Sequence, residues 1–364
     1  MTTLDDLTTQ PSTEIDAEGA EEFAYKIVGI CTGGLLTTLL EIGRRTGLFE
    51  HAAAGPVTSA ELASRAGLQE RYVREWLAAM VTGGIFEYDV ASGHYLLPAE
   101  HSASLTGDGV ENLLPAAYLV SAITSHVDGV TSAFRVGGGV PYGSYLPQLH
   151  DVMDQLWQPM YRDLLVDEIL VLAPGLVERL ESGARLADVC CGTGNGLLVL
   201  AERFPQSQFV GYDADAEAVA IARDRTTRVG LTNLSFEVCD AATLRTDEPF
   251  DVVLVFNAIH DQARPAEVVR AIRRALVPGG IFLLNEPRIS SHLEKNVDNP
   301  LAAMIYSISL LHCMTVSLAE GGAGLGTGWG EELAVNMLAG AGFADVVVHD
   351  APGDPFNAVF VTRA

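Results

Sequence analysis

The sequence predicts a mainly helical N-terminal domain followed by an α/β domain built on an open, mostly parallel sheet. From Arg185 onward, short apolar runs alternate with helical stretches, which is the pattern of a sheet covered by helices on both faces. Upstream, the pattern of residues 58–97 predicts two short helices that are joined by a turn and followed by a β-hairpin. Repeated strand and helix signals therefore define the second domain, and a compact helical pattern defines the first.

Composition excludes several classes of partner. The 364 residues carry 22 Lys and Arg against 47 Asp and Glu, a formal net charge of −25. A field of this sign repels phosphate backbones and anionic lipid, so we expect neither nucleic acid nor membrane as a partner. The five cysteines, two of them adjacent, form neither a disulfide framework nor a zinc motif. The acidic start lacks the features of a secretory signal, so the sequence predicts a cytoplasmic protein.

The N-terminal third is predicted to hold a flexible tail, residues 1–18, and a small domain, residues 19–108. Glu21–Arg45 is predicted as helix, interrupted near Gly33-Gly34. Thr58 and Glu61 have the spacing of a capping box.

The helix, turn, helix and hairpin order of this domain resembles a winged-helix domain. Residues 41–100 contain five Arg against eight acidic residues, a net charge of −3, so the basic stripe of a DNA reader is missing. We therefore predict a packing or dimerisation domain and a homodimer.

Residues 109–182 are predicted as a helical linker and lid, with an apolar helix over 110–134 and a glycine-rich loop over 137–143. A second uncharged segment, Leu301–Leu318, is long enough on paper to span a membrane. It contains Ser309 and His312, and no basic residues follow it closely, so a buried or interface helix is favoured. This segment falls in a lid insertion, 288–330, within the second domain, 183–364.

The first strand of the second domain runs into a glycine-rich turn, Gly192-Thr193-Gly194, before a helix. Such a turn presents backbone N–H groups to an anion at a helix N-terminus. Leu197 stands where a dinucleotide fingerprint needs a third small residue, which argues against NAD or FAD. The next strands end at Asp213 and Asp240, which suit ribose hydroxyls and an adenine amino group or are ordinary turn aspartates.

These elements together resemble a class I S-adenosylmethionine-dependent methyltransferase. The matching motifs are Asp188-x-x-x-Gly192-x-Gly194, Asp213, Asp240 and Val277-Pro278-Gly279-Gly280, with Cys190 at a position where the common pattern has glycine. The resemblance implies a Rossmann-like seven-stranded sheet of order 3-2-1-4-5-7-6 and S-adenosylmethionine as cofactor. With the N-terminal domain, the chain is similar to two-domain methyltransferases of actinobacteria that act on small molecules.

The resemblance also implies roles for residues at the strand ends. The glycine turn and Asp188 would hold the methionyl part, Asp213 the ribose, Asp240 with Ala241 the adenine, and Asn257 would lie beside the sulfonium. The predicted cofactor-binding residues are Asp188, Gly192, Thr193, Gly194, Asp213, Asp240, Ala241 and Asn257.

Just past the fourth strand of this domain, His260-Asp261 resembles the His-Asp motif of small-molecule O-methyltransferases, although Gln262 replaces the usual tryptophan. Histidine suits a general base because its ordinary pKa, about 6.5, is near neutrality. Alternatively, His260 packs against the sheet and Asp261 caps the helix containing Pro265. Glu286 is predicted either to orient His260 or to be a surface turn acid.

The two insertions are predicted to roof an acceptor pocket with aromatic and methionine side chains. The candidates are Tyr142, Trp157, Met160, Tyr161, Met304, His312 and Trp329, although core packing is the alternative for each of them. His312 in particular has the surroundings of a satisfied core histidine. Gly321–Gly326 is either a mobile loop near the pocket or a plain linker, and no metal site is predicted.

The sequence therefore predicts methyl transfer to a small molecule, most simply at a hydroxyl oxygen with His260 as base. Two alternatives stay open. One is transfer to nitrogen or sulfur on the same fold, and the other is a regulatory protein that binds the cofactor and acts through its winged helix.

Overall fold

The computed structural model describes residues 15–364, which form two compact units that divide between Thr106 and Gly107. Most of the predicted tail therefore lies outside the described residues. The first helix already begins at Ala17, inside the range predicted as tail. Asp16 stabilises this start, since its side chain accepts a hydrogen bond from the backbone N–H of Glu18.

The first unit is mainly helical and ends in a small hairpin. Its elements are α1 (Ala17–Thr46), α2 (Leu48–Ala52), α3 (Ser59–Ala66), α4 (Glu70–Thr82), β1 (Glu87–Asp89), β2 (His94–Leu96) and α5 (Ala99–Ser102). The predicted capping box at Thr58 and Glu61 is confirmed at the start of α3. Three buried rings, Phe49, Trp76 and Phe86, pack edge to face or tilted and form the core of this unit.

The predicted interruption of the first helix near Gly33-Gly34 is wrong, because α1 is continuous over 30 residues. Glycine weakens a helix by about 1 kcal/mol but leaves its backbone N–H available, so it does not break the hydrogen-bond ladder as proline does. The hydroxyls of Thr37 and Thr38 also donate to the carbonyls of these two glycines.

The second unit is an α/β sandwich around a seven-stranded sheet. Its strands are β3 (Arg185–Val189), β4 (Gln208–Asp213), β5 (Leu234–Val238), β6 (Phe250–Phe256), β7 (Leu276–Pro287), β8 (Ala344–Asp350) and β9 (Asn357–Arg363). Their order is β5-β4-β3-β6-β7-β9-β8, and only β9 runs antiparallel to its neighbours. Counted within this unit, the order is the predicted 3-2-1-4-5-7-6.

Helices cover both faces of this sheet and bury its alternating apolar side chains. In chain order, the helices of this unit, including those of the lid, are α6 (Leu114–Thr124), α7 (Val127–Val136), α8 (Gln148–Asp163), α9 (Leu176–Ser182), α10 (Asn195–Arg203), α11 (Ala216–Val229), α12 (Pro265–Ala275), α13 (Ala302–Ile308), α14 (Met314–Ala319) and α15 (Glu331–Gly340). One face packs on α12 and α15, and the other packs on α9, α10 and α11. Because parallel strands end at a common edge, this arrangement brings the polar residues after β3, β4, β6 and β7 together.

The two predicted insertions pack on each other and form one lid. The predicted single helix over 110–134 is instead two helices, α6 and α7, which break at Ser125-His126. These helices, α8 and the segment 302–319 share a small apolar core. Two hydrogen bonds connect the insertions, from Val140 N–H to Thr315 Oγ1 at 2.9 Å and from Tyr145 Oη to the carbonyl of Leu311 at 2.7 Å.

Two helical segments of residues 15–364 have the length and composition of a membrane span, Ala17–Thr46 and Ala302–Ala319. The second is 44% buried over its most apolar window, as a core helix is. It contains a π-helical turn at Ser309–Cys313 between α13 and α14.

Candidate active site

The glycine turn after β3 has a backbone that the sequence pattern demands. Gly192 and Gly194 have φ values of 53° and 80°, and Cys190 has φ of 65°. Cys190 therefore adopts a left-handed conformation that favours glycine, which explains why glycine is usual at this position of the motif. Backbone N–H groups of Cys190 and Cys191 both donate to the carbonyl of Tyr212, which fixes the turn against β4.

Asp188, at the base of this turn, is a buried carboxylate with an unsatisfied oxygen. Its exposed fraction is 5%, and Oδ1 has no hydrogen-bond partner. Burial, and then the nearby charge of Asp213, raise the pKa of Asp188 well above its ordinary value. None of the ion pairs found within residues 15–364 includes it. Such a group fits a ligand cation that would satisfy the oxygen and neutralise the charge.

The ends of β4 and β5 carry the two other predicted acids. Asp213 accepts hydrogen bonds from the N–H groups of Gly192 at 2.7 Å and Asp215 at 2.8 Å, which orient its carboxylate. It does not cap the next helix, since Asp215 is the N-cap of α11. Asp240 accepts from Ala242 N–H at 2.9 Å and pairs with Arg264 at 2.5 Å at the surface, so both of its oxygens already have partners.

Two asparagines and two histidines add unpartnered atoms in the same unit. Asn257, just past β6, has φ of 50° and a buried Nδ2 without a partner. Asn285, near the end of β7, is fully buried with neither side-chain polar atom bonded. His312 Nε2 and His150 Nδ1, from the lid, are likewise buried and unpartnered. Buried polar atoms are normally hydrogen-bonded, so atoms of this kind around one sheet edge indicate a ligand site.

His260 and Glu286 form a buried pair beside this edge. Nδ1 of His260 lies 2.5 Å from Oε2 of Glu286, and the residues are 3% and 0% exposed. The other oxygen of Glu286 accepts from the N–H groups of Ala258, at 3.2 Å, and Ile259, at 2.8 Å. The predicted alternative that Glu286 is a surface turn acid is therefore wrong.

The contact with Glu286 determines the pKa of His260 and which ring nitrogen carries a proton. Burial alone would lower the pKa of His260, but the charge of Glu286 and contacts with Cys313 outweigh it, and the pKa lies well above the ordinary 6.5. A carboxylate only accepts hydrogen bonds, so Nδ1 carries a proton and Nε2 is the atom that can exchange one with a ligand.

The alternative role of Asp261 as a helix cap is also wrong. Arg264 is the N-cap residue of α12, and no side chain caps that helix. Oδ1 of Asp261 instead accepts from Gln262 Nε2 at 3.1 Å. The pKa of Asp261 is raised to about 6, mainly by burial; the positive charge of His260 opposes this rise, and the charges of Glu286 and Asp213 contribute to it.

The predicted acceptor-pocket residues separate into two groups. Tyr142 lies near Asp213 and Asp261, since burial and then their charges raise the pKa of its hydroxyl, and its ring centroid is 6.1 Å from that of His312. Met160 and Trp329 are buried in the cores on opposite faces of the sheet, as the packing alternative predicted. Trp157 and Tyr161 pack against the same core as Met160, and Met304 is half-buried on α13.

His312 is not the satisfied core histidine that its neighbours suggested. The π-helical turn places it against Tyr145 at 4.8 Å between ring centroids, with Nδ1 3.5 Å from Cys313 Sγ. Burial, followed by the positive charges of His260 and His126, lowers the pKa of His312 to about 4. The ring is therefore neutral at physiological pH and presents an unpartnered Nε2. π-Helical turns often occur at functional sites.

Sequence reasoning missed a polar cluster that joins the lid to the glycine turn. Asp154 of α8 accepts from Thr193 Oγ1, from Asn195 Nδ2 at 2.8 Å and from Arg225 Nη2 at 2.5 Å. Arg225 also donates to Asn195 Oδ1 at 2.8 Å. These residues come from α8, the glycine turn, α10 and α11, and only the DxxxGxG spacing at the turn offers a sequence signal for any of them.

The Gly321–Gly326 segment is bonded to the region after β6 rather than free. Ala323 N–H donates to the carbonyl of Ala263 at 3.0 Å, and Gly326 N–H to that of His260 at 2.8 Å. Ser317 Oγ donates to the carbonyl of Gln262 at 2.9 Å. The segment lies near the site, as predicted, but its hydrogen bonds anchor it and do not support the mobile-loop hypothesis.

The order of the seven strands is that of the class I S-adenosylmethionine-dependent methyltransferase fold. Residues 180–333 match a family model described as "Methyltransferase domain". Residues 34–107 match one described as "Rv2258c-like winged HTH domain". Together, the two matches place a winged-helix domain before a methyltransferase domain of the class I S-adenosylmethionine-dependent fold.

Similar proteins of known sequence or structure agree with this assignment. A trans-aconitate 2-methyltransferase of Variovorax paradoxus (strain S110) is 31% identical over 134 residues, 36% of this chain and 50% of the relative. The chain thus spans about half the length of the curated relatives it matches first.

Two solved structures share the fold over nearly their whole length. An O-methyltransferase family protein of Burkholderia thailandensis superimposes with a TM-score of 0.69 and 16% identity, covering 93% of this chain and 97% of its own. Human N-acetylserotonin methyltransferase, solved with S-adenosylmethionine, has a TM-score of 0.66 and 17% identity, covering 97% and 99%.

Proposed function

We propose that this protein transfers a methyl group from S-adenosylmethionine to a hydroxyl oxygen of a small-molecule acceptor, with His260 as the general base. The observation that carries the proposal is the buried pair of His260, just past the carboxyl end of β6, and Glu286, near the carboxyl end of β7. In an open sheet of this type, ligands bind outside those strand ends. The Burkholderia protein's description as an O-methyltransferase also favours oxygen as the target.

The residues at the strand ends fit the cofactor. When bound, S-adenosylmethionine supplies a methyl group that its positively charged sulfur makes reactive toward nucleophiles. Asp188 would accept from the amino group through its unpartnered Oδ1, and the Gly192-Thr193-Gly194 turn would hold the methionyl carboxylate.

The other proposed cofactor contacts follow the same edge. Asp213 would accept from the ribose, Asp240 and Ala241 would border the adenine, and Asn257 would lie beside the sulfur. The buried, unpartnered Nδ2 of Asn257 can donate to a ligand atom there.

His260 would act through Nε2, since Nδ1 is committed to Glu286. Taking the acceptor's proton on Nε2 makes the ring a cation, which the Glu286 carboxylate stabilises across 2.5 Å. Because the pKa of His260 is raised above 6.5, the base is freed as pH rises, so turnover should increase with pH through that raised pKa. Asp261, also near this pair, would help set the local charge.

The acceptor would lie under the lid, beside Tyr142 and His312. An aromatic wall with one unpartnered nitrogen suits a flat, mainly apolar molecule that carries a polar substituent. The other predicted wall residues, Trp157, Met160, Tyr161, Met304 and Trp329, would act through packing that supports this wall.

The test is a panel of phenolic, amine and thiol acceptors with isotopically labelled cofactor, read by mass fragments of the product. We expect oxygen methylation, and a loss of about 10²-fold or more in kcat for His260→Ala. The surface variant His292→Ala is the matched control and should keep full activity. Methylation of nitrogen or sulfur, with most activity retained in His260→Ala, would replace the proposal with the alternative transfer reaction.

We further propose that the protein is a cytoplasmic homodimer that associates through its first unit. Helix α1 exposes Phe23, Tyr25 and Leu35, which are 61%, 69% and 70% accessible. Large exposed apolar surfaces are typical of association sites. Light scattering should give twice the monomer mass, and charged substitutions at these residues should halve it. A monomeric wild-type protein would overturn the proposal.

A further inference from the structure

His150 of the lid helix α8 is a buried histidine whose second nitrogen has no partner. Its Nε2 lies 2.7 Å from Oδ2 of Asp215, and its Nδ1 is buried without a hydrogen bond. The residue is 8% exposed. Neighbouring Leu149 and Val152 are buried in the lid core, so the backbone that carries the imidazole is held by packing. A buried unpartnered nitrogen on a fixed residue calls for a ligand or a solvent molecule.

Asp215 sets the chemistry of that nitrogen. Its Oδ1 is occupied as the N-cap of α11, accepting from Glu217 N–H at 2.9 Å, and its Oδ2 faces His150. Because a carboxylate only accepts, the proton of the neutral ring is on Nε2, and Nδ1 is left as a bare acceptor. The group that satisfies it must therefore donate a hydrogen bond.

The place of His150 identifies the donor. The N–H of Asp215 donates to Asp213, which also accepts from Gly192 of the glycine turn, so the four residues form one connected group at the end of β4. Asp213 is the proposed ribose carboxylate, and the ribose is the part of the cofactor with adjacent hydroxyl donors.

We propose that Nδ1 of His150 accepts a hydrogen bond from one ribose hydroxyl of the cofactor, while Asp213 accepts from the other. This inference rests on the proposed cofactor site and extends it, since the sugar is then held from the sheet by Asp213 and from the lid by His150. Binding of the nucleoside consequently tethers α8 to the sheet at the same point as the His150–Asp215 pair.

The experiment compares S-adenosylhomocysteine with its 2′-deoxy and 3′-deoxy analogues by calorimetry on the full chain. His150→Gln is the informative variant, because its amide can still donate to Asp215 but has no acceptor at the Nδ1 position. We expect this variant to bind S-adenosylhomocysteine about tenfold more weakly than wild type. One deoxy analogue should be bound equally by both proteins, and the other should still distinguish them about tenfold.

Two results would overturn the inference. One is unchanged affinity for S-adenosylhomocysteine in His150→Gln, and the other is that both deoxy analogues distinguish the two proteins as strongly as the parent compound does. His150→Asn provides the contrast, since it loses the reach to Asp215, and a purely structural role would weaken binding only there. Failure of wild type to bind S-adenosylhomocysteine is a different outcome, because it overturns the proposed cofactor site itself.

A second readout does not depend on a variant's stability. In protein labelled with ¹⁵N-histidine, the Nδ1 resonance of His150 should shift from the unbonded toward the hydrogen-bonded range when S-adenosylhomocysteine is added. It should not shift with the deoxy analogue that lacks the donating hydroxyl. A resonance that is unaffected by the parent compound contradicts the inference even if His150→Gln does not fold.

Discussion

Two sets of side chains meet at the carboxyl edge of the sheet, and they are held in different ways. The strand-carried set, Asp188, Asp213 and Glu286, lies at or near the ends of β3, β4 and β7. Backbone N–H groups orient two of these carboxylates directly. Asp213 accepts hydrogen bonds from the N–H groups of Gly192 and Asp215. Glu286 accepts from those of Ala258 and Ile259. This set is thus part of the same hydrogen-bonded framework as the sheet.

The lid-carried set, Tyr142, His150, Asp154 and His312, comes from two segments far apart in the sequence. Packing in the shared lid core and side-chain contacts, such as those of Asp154 with Thr193 and Arg225, position it. Preorganised groups on a rigid framework suit the chemical step, whereas groups on a packed insertion suit selection and enclosure of the ligand. Changes in the first set should therefore affect reaction and cofactor. Changes in the second should affect stability and acceptor preference, with His150 as the member that also reaches the cofactor.

The largest effect should come from Glu286→Gln, which removes the charge that stabilises protonated His260. We expect kcat to fall about 10²-fold, because the imidazole becomes a weaker base and loses its charged partner. The pKa of His260, raised in the wild type, should fall, so the acid limb of the pH–rate profile moves to lower pH.

A pH–rate profile of kcat/KM for both proteins checks this, with surface Glu294→Gln as control. An acid limb that stays in place would remove Glu286 from any role in setting the protonation of His260.

Asp188→Asn should act on the cofactor rather than on the base. The change keeps the shape of the side chain but removes the charge offered to the cofactor's amino group, so we expect affinity to fall about 30-fold. Calorimetry with S-adenosylhomocysteine measures this affinity. The control is Asp224→Asn, which removes only a surface ion pair with Arg228 and should leave the affinity unchanged. Equal affinity in wild type and Asp188→Asn would mean that the ammonium group lies elsewhere.

The strand-carried set could be predicted from the sequence because spacing encodes it. Alternating strands and helices fix the sheet order, and the order fixes which strand ends meet, so Asp188, Asp213 and Asn257 could be placed at one edge. The sequence leaves two roles open for Glu286, because it shows that an acid stands at the end of a strand but does not show whether its carboxylate points inward.

In the lid-carried set, Tyr142 and His312 could be named from the sequence as wall candidates, whereas His150, Asp154 and the contacts of the lid could not, for a physical reason. Contacts such as Val140 with Thr315, or His150 with Asp215, join positions that no local periodicity relates. His312 sits on a π-helical turn, which shifts the helical register and turns its nitrogen into a buried space instead of a satisfied core. For Met160 and Trp329, by contrast, the structure confirms core packing over the predicted pocket wall. The sequence could not separate the two, because an apolar side chain suits either place.

Gly139→Ala tests whether packing of the two insertions holds the lid. A Cβ at this position would lie 1.8 Å from the carbonyl oxygen of Thr315 and 2.8 Å from the N of Ala319. Those atoms are backbone, so α14 must move away, and we expect a loss of about 2 kcal/mol in unfolding free energy. Denaturant unfolding measures it, and Gly340→Ala, with nothing within 4 Å of its added Cβ, is the matched control. Unchanged stability in Gly139→Ala would mean that the insertions can separate freely.

The smallest effect should come from His312→Leu, and it should fall on acceptor selection alone. One neutral hydrogen bond is worth about 1 kcal/mol, so the KM for an acceptor that satisfies Nε2 should rise about fivefold. The kcat and the affinity for S-adenosylhomocysteine should change by less than about twofold. In the part of the chain described, the only side chain to which His312 is hydrogen-bonded is Cys313, so the substitution breaks no contact with the catalytic pair or the cofactor-binding residues.

The effect of His312→Leu should also be independent of pH. Because burial and neighbouring charges lower the pKa of His312 to about 4, the KM ratio of variant to wild type should be constant from about pH 5 to 8. Steady-state kinetics with the best acceptor of the panel decides it, and a ratio that changes across this range would show that a charged group, and not this neutral imidazole, binds the acceptor.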